Sequence, residues 1–129
     1  MFKGPSSVSS VTVMSFYVDP SNAFHGYVRA PHGTITTFEI LGAGTGPGQG
    51  TGPQAINTTG TITGNYIDAS GINHGFIRSK HGAITVFDVP GAGTGPGQGT
   101  IPFCNNPADA ITGWEIDASG VLHGLLRTP

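Results

Sequence analysis

Apolar residues alternate with small or polar ones in short runs along this chain, and turn residues interrupt each run before it reaches helical length. "TITGNYID" (Thr61–Asp68) and "INHGFIR" (Ile72–Arg78) are rich in β-branched and aromatic residues, with the turn cluster "ASG" between them. "AITVFDV" follows after a second turn cluster, "SKHG", and "GPQAIN" before "TTG" is a weaker fourth run. Alternation bounded by Gly, Ser and Asn is the pattern of strands joined by tight turns. The segment from Gly52 to Val89 therefore predicts four short antiparallel strands and no helix.

The same pattern returns when the chain is shifted by 49 residues. "YIDASGINHGFIRSKHGAITVFDVPGAGTGPGQGT" from Tyr66 overlays "YVDPSNAFHGYVRAPHGTITTFEILGAGTGPGQGT" from Tyr17 without a gap, and "EIDASGVLHGLLRTP" from Glu115 overlays both. His25, His74 and His123 are in register, as are Asp19, Asp68 and Asp117, and Arg29, Arg78 and Arg127. A four-stranded unit repeated at this length is the pattern of a propeller blade. The chain reads as one all-β repeat domain with units at about 1–49, 50–98 and 99–129, the last incomplete. Three units are too few to close a propeller ring. The expectation is a partial ring, completed by oligomerisation or by the rest of a longer protein. A β-trefoil or three-sheet β-prism is the alternative. Open strand edges recruit partners, so self-association into a homo-oligomer is expected.

"GAGTGPGQGT" occurs at Gly42–Thr51 and again at Gly91–Thr100 without a difference. A P-loop needs two glycines five apart, then Lys and Ser or Thr, opening a helix. Here the glycines recur every second residue, no Lys follows and no helical pattern comes after. Period two is the period of an extended chain, so the stretch predicts an extended strap whose bare face lies close against another backbone.

Charge narrows the partners. Only 9% of residues are charged, the net charge is −2 and no basic patch exists, which argues against nucleic acid. No apolar run is long enough to span a membrane, and the first residues lack the pattern of a signal peptide. The single cysteine, Cys104, can form no internal disulfide and reads as a buried inert thiol.

The recurring titratable residues read as structural. Asp68 precedes a turn, where its carboxylate can accept backbone N–H bonds, and Asp19 and Asp117 share that position. His74 and Arg78 lie on one face of a strand with Phe76 between them, as a polar pair bridging units. With their equivalents His25, His123, Arg29 and Arg127 they are also candidate ligand contacts. Three histidines on separate units are too far apart to hold one ion, so no metal and no other cofactor is expected. Residues that break the repeat are the better candidates for discrimination. Trp114 stands where the middle unit has Asn65, and Glu115 where it has Tyr66. An indole can stack on a sugar, with Trp114 filling core space as the competing role. Asp109 and Glu115 are the candidate carboxylates if the chain is a hydrolase. No catalytic Ser, His and acid arrangement stands out.

"AINTTGTITGNYIDASGINHGFIR", from Ala55 to Arg78, resembles the bacterial extracellular repeat called HAF, whose core runs I-N-x-x-G-x-[IV]-x-G and later G-x-x-H-[AG]-F. The middle unit matches best. The first has "SVSSVTVMS" for "INTTGTITG" and Asn22 for Gly71, and the third has Leu125 for Phe76. "DASGINHGF" is also loosely similar to the Asp-box turn of sialidase-type propellers, a structural motif. The HAF resemblance implies a secreted or cell-surface β-repeat protein and no particular reaction. Together these readings point to a non-catalytic extracellular module that binds glycan or another surface ligand, or serves as a scaffold. The alternative is a small polysaccharide-active hydrolase on the same scaffold.

Overall fold

The alternating runs form strands where their patterns place them. The computed structural model describes residues 12–129, which contain ten strands in one open mixed sheet and no helix. The first ten residues, "MFKGPSSVSS", lie outside the described part. The first unit contributes β1 (Val13–Val18), β2 (Phe24–Arg29) and β3 (Ile35–Phe38). The middle unit contributes β4 (Gly50–Ile56), β5 (Ile62–Ile67), β6 (Asn73–Arg78) and β7 (Ile84–Phe87). The third contributes β8 (Gly99–Asn105), β9 (Ile111–Ile116) and β10 (Leu122–Arg127).

Within each unit successive strands pair antiparallel. Between units the chain makes one parallel pair at each junction, Phe24 with Gly50 and Asn73 with Gly99. These two pairs make the sheet mixed. The pairing register shifts between Pro53 and Ala55, and again between Pro102 and Cys104. Proline has no N–H to give the ladder, so each first strand bulges at the same point.

Adjacent units pack face to face. Ile62, Tyr66 and Phe76 of the middle unit form the core with Phe38 and Ile40 of the first, flanked by Met14 and Val28. Complete burial of a side chain such as Phe76 contributes roughly 1.5–3 kcal/mol. The Phe38 and Phe76 rings meet edge to face at 6.1 Å. The opposite face of the middle unit carries Thr63, Asn65, Asn73 and Gly75, and β5 packs there against β8 of the third unit. Both faces of "HGFIR" on β6 are therefore covered, as its sequence suggests. "HGLLR" on β10 departs from that expectation, because one of its faces has no neighbouring unit among the described residues.

The two glycine-rich stretches join the units as straps, but they are not extended. Gly42, Gly48 and Gly50 all have positive φ, as do Gly91, Gly97 and Gly99. These left-handed residues fold each strap into two turns, so alternate glycines mark bends instead of one side of a ribbon. The strap grips both units. Gly48 N–H donates to the Asn22 carbonyl and Phe24 N–H to the Gln49 carbonyl, on the first unit. Gly44 N–H donates to Ile67 and the Gln49 side chain to Ala69, on the middle unit. Gly97, Asn73, Gly93 and Gln98 repeat these four bonds at the next junction. The approach is close: a Cβ on Gly44 would lie 2.9 Å from the Asp68 carbonyl carbon, and one on Gly50 would overlap the Phe24 carbonyl oxygen. Gly48 has open space around the same position.

This contrast separates conformational strain from collision. Gly48→Ala should destabilise the protein by about 1–2 kcal/mol, the cost of a left-handed non-glycine residue. Gly50→Ala adds an overlap with backbone and should cost clearly more in urea denaturation. Equal losses would mean that the strap is not held against Phe24.

Candidate functional site

The recurring Asp–His pairs are the densest cluster of titratable side chains, and each is built into a hairpin. Asp68 Oδ1 accepts the Ser70 and Ile72 amides at 2.8 and 3.0 Å and so closes the β5–β6 turn. Its Oδ2 meets His74 Nε2 at 2.9 Å, and His74 Nδ1 meets Asp88, just beyond β7, at 2.9 Å. Asp19, His25 and Glu39 repeat the arrangement in the first unit. In the third unit Asp117 holds its turn and meets His123 Nε2 at 2.8 Å. A neutral imidazole donates from only one nitrogen. With a carboxylate at both, His25 and His74 are matched by the imidazolium. Each clamp also has an aromatic lid on the first two units: Tyr17 stacks on His25 and Tyr66 on His74, both at 4.9 Å.

The titration of these groups follows from the geometry. Hydrogen bonds from Asp19 and Glu39 raise the pKa of His25, and that from Asp117 raises His123. Burial works to lower the pKa of His74, but its bonds to Asp68 and Asp88 outweigh it and the net shift is upward. The His25 bond lowers Asp19 and the His123 bond lowers Asp117. Burial works to raise Asp68, and its bonds from His74, Ile72 and Ser70 prevail and lower it.

The arginines do a different job at the other end of the same strands. Arg78 lies over the Phe38 ring at 4.9 Å and Arg127 over Phe87 at 5.0 Å. Each joins its unit to the one before by a cation–π contact. Arg29, in the first unit, is exposed. His74 and Arg78 share a face but are separated by roughly 13 Å of strand, so the structure does not bring them into one site. Among the described residues no three His, Cys, Asp or Glu side chains are placed to hold a metal ion.

At the arginine end two clefts open, of about 900 and 260 Å³. Asn105 lines both. Its amide donates to the Thr61 carbonyl at 2.9 Å, while its Oδ1 is buried without a partner among the described residues. Asp109, left-handed at φ 64°, accepts from Asn57 Nδ2 at 2.7 Å. Glu115 lies elsewhere, on β9, nearly buried and facing Gly91. About 13 Å of strand between Ile111 and Glu115 keeps it from Asp109, whereas glycosidase carboxylates stand roughly 5–9.5 Å apart.

Trp114 is on the opposite face of β9 from Glu115. It is 38% exposed and its ring lies 4.2 Å from that of Phe103. Phe16, its counterpart, is 46% exposed. Neither fills the core. Cys104 is also exposed, contrary to the expected buried thiol, because it follows the bulge at Pro102 and belongs to the same uncovered side of the third unit. The Asp–His bonds were missed in the sequence. Their signal was there, an Asp six residues before each in-register His, with a third acid fourteen residues further on in two units.

Comparison with known proteins finds nothing similar: no protein-family model, curated protein or solved structure matches this chain.

The clamps define how stability should vary with pH. Raised histidines contribute fully below their ordinary value of 6.5, and the contribution is lost as pH rises through their folded values. Lowered aspartates contribute fully above 3.8, and theirs is lost as pH falls through their folded values. Urea unfolding should therefore show greatest stability between pH 3.8 and 6.5, with a decline on either side. Asp68→Asn should weaken the pH dependence while keeping the turn, since Asn57 and Asn106 hold the matching turns with amide oxygens. Asp68→Ala should cost a further 1–2 kcal/mol or about that, from the two amides left without an acceptor.

Proposed function

We propose that this chain is a non-catalytic β-repeat module, a propeller-type scaffold whose task is to present a surface to other macromolecules. The observation that carries this reading is the use made of its ionisable groups. In each unit the aspartate is divided between a turn and a histidine, and in the first two the histidine is bonded at both nitrogens. Acid–base catalysis needs two groups whose environments push their pKa values apart. Here the same environment recurs from unit to unit. A radial arrangement is supported by the contact of first strand with first strand, β4 against β8, while the later strands step outward in order. The resemblance to HAF repeats supports an extracellular or cell-surface setting.

Incubation with a panel of bacterial and plant polysaccharides should release no new reducing ends. Any release that depends on Asp109 or Glu115 would overturn the reading in favour of a hydrolase.

Carbohydrate binding is a second reading, favoured by one feature: the exposed Trp114 beside Phe103. If Trp114 is a sugar platform, Trp114→Asn should abolish retention on a glycan array with an unchanged far-UV spectrum. An unfolded variant would instead make Trp114 a structural residue.

A further inference from the structure

The uncovered face of the third unit repeats, position by position, a face that is covered in the middle unit. Thr63, Asn65, Asn73 and Gly75 are buried against the third unit. Their counterparts Thr112, Trp114, Leu122 and Gly124 are all exposed. Asn65 and Asn73 are 8% and 7% accessible, whereas Leu122 is 56% and the neighbouring Leu126 68%. Two of the covered positions are polar and their counterparts are apolar, so the open face has more to gain from being covered.

The backbone bonds repeat too. Phe24 N–H and Asn73 N–H each point out of their hairpin and donate to a strap glutamine carbonyl at 2.8 Å. The Asn22 and Gly71 carbonyls each accept a strap glycine amide, at 2.9 and 2.8 Å. On the third unit the matching groups are Leu122 N–H and Gly120 C=O, and neither has a partner outside the ladder among the described residues. Asn57 Nδ2 reaches across to the Asn106 carbonyl at 2.9 Å. The matching Nδ2, on Asn106, donates to nothing among the described residues. Pro96 of the second strap sits over Gly71 and the Phe87 ring over Gly75, while nothing lies within 4 Å of where a side chain would begin on Gly120 or Gly124.

We infer that this face binds a further repeat unit of the same kind, presented strap first. The recognised element is a Gly-Ala-Gly-Thr-Gly-Pro-Gly-Gln-Gly-Thr segment entering a bulged strand, with an outer strand ahead of it to cover Gly124. A second copy of this chain is a poorer occupant, because both of its straps are already bonded within its own three units. The inference rests on the scaffold reading and names the partner of that scaffold.

Arg78 and Arg127 are in register, so the sequence that follows Arg78, Ser79 to Pro129, can be joined directly after Arg127 to supply such a unit. In the extended chain the Leu122 amide should exchange with deuterium at least about 100-fold more slowly than in the 129-residue chain, as ladder amides do. Trp114 emission should shift to shorter wavelength. Unchanged exchange at Leu122, with the added unit folded or unfolded, would overturn the inference. So would protection of Leu122 in the 129-residue chain that rises with its own concentration, which would make a second copy the occupant. Perturbation of Leu122 and Trp114 by a polysaccharide in the 129-residue chain would assign the face to carbohydrate instead. Reducing-end release would be a failure of the scaffold reading itself, seen in a separate assay.

Discussion

The close passage of the strap against its neighbours is the constraint on which the rest of the molecule depends. At each junction the chain must leave the outer strand of one unit and enter the first strand of the next while lying against backbone of both. A side chain at Gly44 or Gly50 would occupy space already held by Asp68 or Phe24. Glycine there is a matter of room as well as of φ. The buried threonines Thr51 and Thr100 complete the fit, accepting the Ile40 and Val89 amides as the strap begins. Because the strap fixes the distance between units, it also fixes which side chains meet across the interface.

Two kinds of contact then divide the length of each strand. Near the Asp turns, carboxylates and imidazoles fasten the outer strand of a unit to its own hairpin. Near the other end, Arg78 and Arg127 reach a phenylalanine of the preceding unit. Between them lies the apolar contact of Ile62 and Phe76 with Phe38 and Ile40. Clamps thus hold units together internally, and arginines and core residues hold units to each other. A chain with only 9% charged residues has committed most of that charge to these two duties.

Strands and turns were legible because their signals are local. Alternation marks β5 and β6, and Asp68 announces its turn by position. The strap was legible as a connector but not in shape: a glycine every second residue describes an extended ribbon as well as it describes bends, and only the signs of φ at Gly42, Gly48 and Gly50 distinguish them. The site residues were less legible. Whether Cys104 or Trp114 is buried depends on what covers the third unit, and no pattern within β8 or β9 carries that information. Asp109 and Glu115 are near in sequence, yet a strand keeps them apart. The unpaired Oδ1 of Asn105 gave no signal, since Ile56 fills the same place in the middle unit.

The identity of the two straps bears on how such a protein changes over generations. Each strap begins and ends at the same register and makes the same bonds to both sides. Unequal recombination between the two coding stretches would remove or add one whole 49-residue period. The new junction would be chemically indistinguishable from the old ones. Point mutation within the strap is penalised by the lack of room, so the very stretch that tolerates least substitution is the one at which copy number can vary without damage. Selection on fit keeps the straps alike, and their likeness keeps the number of units open to change.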